Sequence, residues 1–194
     1  RRDEVWPMVA LLDHLSENGP QSFTNLVSSR DTRNCSRCHG DADSGPISEL
    51  VPVLQGQPAS YLQRALFEYR ADERQSGMMD PLAHELSDEE IADLANQYAN
   101  MTFPASTGPV ETDFGDAQRG RQIAVEGLPE EGVPACRSCH AGTNPQFPRL
   151  INQSQYYVHN QLHLFASGVR GVTGYASIMA AVAERLTPAD MRDV

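Results

Sequence analysis

Apolar side chains recur at helical spacing in two well-separated stretches of the chain. Tyr61, Leu62, Ala65, Leu66 and Tyr69 fall on one helical face, and Tyr157, Val158, Leu162 and Phe165 repeat the arrangement later. Ser87-Asp-Glu-Glu90 has the form of a capping box, in which two side chains satisfy each other's backbone N–H groups. It opens a predicted helix that carries Ile91, Leu94, Ala95 and Tyr98. Thr187 followed by Pro188 predicts another helix start, with threonine as N-cap and proline where its missing N–H costs nothing. Asp116 to Val125 predicts a further helix that ends near Gly127. No segment alternates convincingly as a strand, so the pattern reads as all-α. No run approaches the roughly 18 consecutive apolar residues that a membrane-spanning helix needs.

The helical stretches belong to a duplication. Shifting the first half by 96 residues superimposes Pro52 on Pro148, Leu54 on Leu150, Gln57 on Gln153, Tyr61 on Tyr157, Leu66 on Leu162 and Tyr69 on Phe165. Farther on the shift becomes 100 and aligns Met79 with Met179, Leu86 with Leu186 and Ser87 with Thr187. The change of register falls in polar, glycine-containing stretches around Asp72–Gly77 and Ser167–Gly174, where loops tolerate insertions. The expected organisation is an N-terminal domain at 1–101, a Pro/Thr/Ser/Gly-rich linker at 102–113 and a C-terminal domain at 114–194. Residues 1–30 form an atypical N-terminal extension, read as an extra packing helix or a remnant next to a removed anchor.

Charge narrows the partners. The 194 residues carry a formal charge of −11, and all 15 basic residues are arginine. Such a chain is repelled by nucleic acid phosphates, and a partner with basic or apolar surface suits it better. The charge is unevenly placed: residues 1–105 hold 17 acids and 8 arginines, residues 106–194 hold 9 acids and 7 arginines. No secretory signal with an apolar run and small-residue cleavage site is visible, so an exported protein is read here in mature or trimmed form.

The cysteines decide the chemistry. All four lie in two copies of one pattern, Cys35-Ser-Arg-Cys38-His39 and Cys136-Arg-Ser-Cys139-His140. C-x-x-C-H is the attachment signature of c-type haem. Two thiols at that spacing reach the two vinyl groups on one porphyrin edge as thioethers, and the following histidine turns its imidazole toward the iron. A zinc ribbon needs its C-x-x-C pairs about 15–20 residues apart, a thioredoxin-like pair needs a single copy in a βαβ pattern, and structural disulfides leave the twofold histidine unexplained. Two covalently bound haem c groups are therefore expected.

Each iron needs a second axial ligand, and the duplication nominates it. Lysine is absent, the cysteines are used, and six methionines remain. Met79 lies 8 residues before Ser87 and Met179 lies 8 before Thr187. Their distances from the first cysteine of each motif, 44 and 43, also agree. A methionine beside Pro and Ala is usually core filler, but paired register favours ligation, and Met78 is the local competitor of Met79. The candidate iron ligands are His39, Met79, His140 and Met179.

With these residues in place, the chain resembles the dihaem class I cytochromes c of the cytochrome c-four family. The resemblance rests on C-x-x-C-H-G, P-x-L-x-G-Q, Tyr-Leu, a helix, a methionine and Leu86-Ser-Asp-Glu-Glu-Ile-Ala-Asp-Leu-Ala95, over about residues 30–100 and 114–194. It implies two tandem all-helical class I cytochrome c domains related by a pseudo-twofold axis, with haem propionates near each other across the interface. It implies His/Met ligation at both irons and a periplasmic electron carrier, often one that delivers to terminal oxidases. Two departures stand out besides the extension. Ile151-Asn152 replaces the usual small residue and glycine before Gln153, and the last helix is about six residues shorter than its partner.

Six-coordinate iron leaves no substrate site, so the reading is an electron carrier rather than an enzyme. Its partners would be a terminal oxidase, a quinol–cytochrome c reductase or a dehydrogenase. Membrane association through a partner or the N-terminal segment stays open. The alternative is the haem subunit of a dehydrogenase complex such as a flavocytochrome sulfide dehydrogenase. His14, His84, His159 and His163 read as surface or structural residues. Pro46 and Pro145, shortly after the haem histidines, are the candidates to accept the second imidazole N–H. Arg37 and Arg137, inside the motifs, read as exposed.

Overall fold

The computed structural model describes residues 32–102, 114–171 and 173–194. The extension at 1–30 and nearly all of the expected linker lie outside them. Within the described residues the chain is helical, and the single β-type contact is an isolated bridge between Leu128 and Val133.

The first half contains α1 (Thr32–His39), α2 (Ala59–Arg70), α3 (Met79–His84) and α4 (Asp88–Asn100). The second contains α5 (Ala117–Glu126), a short 3₁₀ turn (Pro129–Glu131), α6 (Arg137–His140), α7 (Gln155–Ala166), α8 (Ala176–Ala183) and α9 (Pro188–Asp193). The expected caps are present. Ser87 and Glu90 form the reciprocal capping box of α4, and Thr187 and Asp190 form the same box on α9. Asp116 accepts from the N–H groups of Gln118 and Arg119 at the start of α5.

Each half packs two helices on one 12-residue helix. α2 packs on α3 and α4, burying Leu62, Ala95 and Tyr98 together; α7 packs on α8 and α9, burying Leu162, Phe165, Ala183, Leu186 and Met191. In the second half α5 also lies on α9, and Gly120 permits it. A Cβ at Gly120 would stand 1.6 Å from the Asp193 carbonyl oxygen, closer than any side chain can come.

The duplication extends to backbone conformation. Gly56 and its counterpart Asn152 both adopt the left-handed conformation, at φ 69° and 63°. Asn is among the few non-glycine residues that enter that region readily. The departure noted at Asn152 thus leaves the turn intact. Asp72 and its counterpart Gly168 match in the same way, at φ 57° and 74°.

The halves meet through a pseudo-symmetric clasp. The Gln57 amide donates to the Arg149 carbonyl at 2.7 Å and accepts from its N–H at 2.9 Å. The Gln153 amide does the same with Val53, at 2.7 and 3.1 Å. Val53 and Arg149 are themselves partners in the 96-residue register, so this is an isologous contact inside one chain. Ser60 adds a hydrogen bond to the Pro145 carbonyl, and Arg64 donates to both the side chain and the carbonyl of Gln146.

Candidate haem-binding sites

Each C-x-x-C-H motif lies on a short helix that ends in its histidine. α1 presents Cys35, Cys38 and His39; Cys136 precedes α6, which carries Cys139 and His140. Helical geometry puts Cys35 and Cys38, three positions apart, on the same face. The four cysteines carry no disulfide. Burial pushes the Cys38 thiol up, against the nearby Arg37, and burial likewise raises Cys136.

The histidines are held alike. His39 Nδ1 lies 2.9 Å from the Pro52 carbonyl oxygen and His140 Nδ1 lies 2.7 Å from that of Pro148. A carbonyl only accepts, so each Nδ1 donates and each Nε2 keeps a lone pair. Burial lowers the pKa of both rings despite those bonds, which keeps the lone pair available. These partners correct the expectation placed on Pro46 and Pro145. The motif-to-carbonyl separation differs between the halves, 13 residues in one and 8 in the other. Closeness in sequence after the histidine therefore does not find the acceptor, while the 96-residue register does. Pro145 serves the interface instead, as the acceptor for Ser60.

In the second half His140 and Met179 line one cleft, together with Phe147, Pro148, Tyr175 and Ala176. The same cleft is walled by Tyr61, Arg64 and Glu68 of the first half. In the first half the two candidates sit on different elements, His39 at the end of α1 and Met79 at the start of α3, where its N–H bonds Ser76 Oγ. Met78 stands just before, at the helix start.

At this cleft lies a cluster of arginine and tyrosine, Tyr61 and Arg170 in its lining, that the motifs do not announce. Arg74 is 7% exposed. Its guanidinium lies 4.5 Å from the Tyr69 ring centroid and 3.5 Å from the Tyr157 hydroxyl. Its register partner Arg170 stacks on Phe165 at 4.4 Å and donates to Gln161. Both guanidiniums act electrostatically on the Tyr61 phenol. Burial alone would raise that phenol, but the two cations outweigh it and bring its pKa below the ordinary value. Tyr69, by contrast, is pushed up to about 12, chiefly by burial. Among the described residues neither Arg74 nor Arg170 has a carboxylate partner, and the buried Nε atoms of Arg149 and Arg170 have no hydrogen-bond acceptor. Buried cations without counter-ions are costly, and this arrangement is suited to an anion supplied from outside the chain.

Comparison with known proteins agrees with this geometry. The family model described as Cytochrome c matches residues 16–97. Cytochrome c-552 of Acidithiobacillus ferridurans is 32% identical over 85% of this chain and 72% of its own length. The chain belongs to the cytochrome c family. A thiosulfate dehydrogenase electron acceptor of Thiomonas intermedia (strain K12) is 30% identical over 96% of this chain and 86% of its own. The solved cytochrome c4 of Acidithiobacillus ferrooxidans superimposes with a TM-score of 0.73 at 31% identity, covering 82% of this chain and 94% of that one. The fold is accordingly that of a cytochrome c4-like protein, two tandem class I cytochrome c domains, and its task is electron transfer.

Covalently bound haem c is what the family implies, and the residues fit it. Paired thiols lie beside a histidine whose Nε2 is available, and the buried Nε atoms of Arg149 and Arg170 without acceptors are the donor type that porphyrin carboxylates accept from. Arg37 and Arg137, inside the motifs, are exposed. Arg74, buried, and Arg170, half-buried, are a different set. Their signal in the sequence is the register, since Arg74 and Arg170 are 96 residues apart.

Proposed function

We propose that this chain is a periplasmic two-haem electron carrier. One haem would be attached through Cys35 and Cys38 and held by His39 and Met79, the other through Cys136 and Cys139 and held by His140 and Met179. The observation that carries the reading is the shared cleft of His140 and Met179, reached independently by the repeat register and by the packing. When bound, haem supplies a one-electron iron couple, whose potential a methionine ligand raises relative to two histidines.

The chain's own residues do the rest. Pro52 and Pro148 fix the tautomer and rotation of the two imidazoles. At the junction of the halves Arg74 and Arg170 would compensate propionate charge, and the Tyr61 hydroxyl would donate a hydrogen bond. The amide clasp of Gln57 and Gln153 fixes the spacing of the two sites. The proposed domain boundary falls within 102–113. The electron donor we favour is a dehydrogenase of reduced sulfur compounds, because one relative of nearly the same extent is named an electron acceptor of thiosulfate dehydrogenase. No helix of the described residues is long and apolar enough to cross a membrane.

Mass spectrometry of the denatured mature protein tests attachment, because thioethers survive unfolding. Two haem masses above the polypeptide are expected; the bare polypeptide mass contradicts the proposal. Reduction kinetics with purified thiosulfate dehydrogenase and with a flavocytochrome sulfide dehydrogenase test the donor. Faster reduction by the flavoenzyme would replace our assignment.

A further inference from the structure

His159 and His163 stand one turn apart on α7, four residues from each other, and the haem sites use neither. Positions i and i+4 share a helical face. Here the two imidazoles have converged. Their Nε2 atoms are 3.1 Å apart, with ring centroids at 4.5 Å and planes inclined by 73°. His163 is exposed and His159 is half-buried, its ring braced edge-on by Phe114 at 5.2 Å. Phe114 in turn packs on Tyr156 at 4.5 Å, so the ring that touches His159 is itself supported.

We infer that His159 and His163 form a surface chelate for a first-row divalent transition-metal ion, copper(II) above all. Two nitrogens 3.1 Å apart, each at the usual 2.0–2.1 Å from one ion, subtend an angle of about 98° at the metal. That lies near the right angle between neighbouring ligands in a tetragonal site, the geometry of copper(II) and nickel(II). A single hydrogen bond between the rings gives the same distance, and metal binding would replace it by turning both Nε2 lone pairs to one ion. Imidazole suits copper, nickel and zinc, and copper(II) heads the general affinity order. Two protein ligands leave the remaining positions to water, so the ion is exchangeable and open to a partner's side chain. Calcium and magnesium, which require oxygen ligands, are not held.

The test is titration of fully oxidised holoprotein with cupric sulfate alone, followed by electron paramagnetic resonance of the copper signal. Wild type should bind one ion with splitting from two nitrogens. His159→Gln and His163→Gln should each weaken binding by about tenfold or more. His84→Gln, which removes the exposed imidazole 3.3 Å from Asp72, should leave binding unchanged. An unaltered haem absorption spectrum verifies folding in every variant, and zinc and nickel should displace copper only in large excess. Copper binding that survives both α7 substitutions, or that His84→Gln abolishes, overturns the proposal.

Discussion

The two halves hold the same histidine–carbonyl contact inside differently built loops. In the first half the loop after His39 is stapled from within. Gln55, fully buried, donates through its amide toward the carbonyls of His39, Asp41 and Ser44. Gly40 turns left-handed at φ 73°, and the Tyr98 hydroxyl donates to its carbonyl. In the second half Ala141 follows the histidine with ordinary backbone angles, and Ile151, 66% exposed, occupies the register position of Gln55. There the imidazole has the Phe147 ring as a neighbour, 6.1 Å between centroids. The imidazole geometry is therefore set by a proline carbonyl in both halves, while stability and access to water are set locally and separately.

Substitutions at matched positions should break the apparent equivalence, beginning with Gln55. Gln55→Leu strands buried carbonyls and should cost about 2–4 kcal/mol in chemical denaturation, because each unmade bond exposes a desolvation penalty. Ile151→Leu at the matched surface position should stay within about 0.5 kcal/mol. Equal losses would show that the loops are not built differently.

Gly40 comes next. A Cβ there would lie 2.2 Å from the Ser44 carbonyl oxygen in a left-handed conformation, so Gly40→Ala should cost about 1–3 kcal/mol. Ala141→Gly should cost about 0.5–1 kcal/mol, through backbone entropy alone. Retention of full stability by Gly40→Ala would contradict the described turn.

The clasp sharpens the comparison from the opposite side, since it is symmetric. Gln57→Ala and Gln153→Ala should each lose about 1–2 kcal/mol, and by similar amounts. A large inequality would show that one amide pair dominates the junction.

Acid response should separate the halves again. Asp190 is buried; burial alone would raise its carboxyl, but hydrogen bonds from Thr187 and the Arg119 guanidinium outweigh it and hold the pKa below the ordinary value. A depressed carboxylate contributes stability above its unfolded pKa of about 3.9, which is lost as pH falls through the lower folded value. Asp190→Asn should remove that acid-limb slope in a pH titration of stability. An unchanged slope would assign the acid lability elsewhere.

The smallest expected difference is in potential. With residues 1–105 at net −9 and residues 106–194 at net −2, the first haem should have the lower potential. At ~15 Å in salt each charge contributes about 0.06 kcal/mol, so the excess amounts to about 0.4 kcal/mol, or roughly 20 mV. Redox titration of Met79→His beside wild type identifies the first haem by the wave that moves. Movement of the higher wave would refute the charge argument.

Much of this architecture was legible in the sequence because its signals are local. The capping box at Ser87, the Thr187–Pro188 start, the Asp116 cap and the helical stripes of α2 and α7 each depend on a few neighbouring residues. The C-x-x-C-H motifs are legible for the same reason. The histidine acceptors were not found by proximity because the loops differ in length, although Pro52 and Pro148 already stood in register. The burial of Arg74 ran against the usual exposure of that residue; only the register betrays Arg74 and Arg170. Asn152 looked like a loss of the glycine turn because sequence does not display φ, whereas the backbone kept its left-handed bend.

Axial ligation is the claim on which the electron-transfer account depends, and the near-red charge-transfer band of a methionine–ferric iron bond tests it. The oxidised holoprotein should show the band, and Met79→Ala and Met179→Ala should each diminish it by about half, one of two equivalent ligands being lost. Met78→Ala should leave it intact. Loss of the band in Met78→Ala with retention in Met79→Ala would contradict the repeat register, and absence of the band in wild type would contradict His/Met ligation altogether.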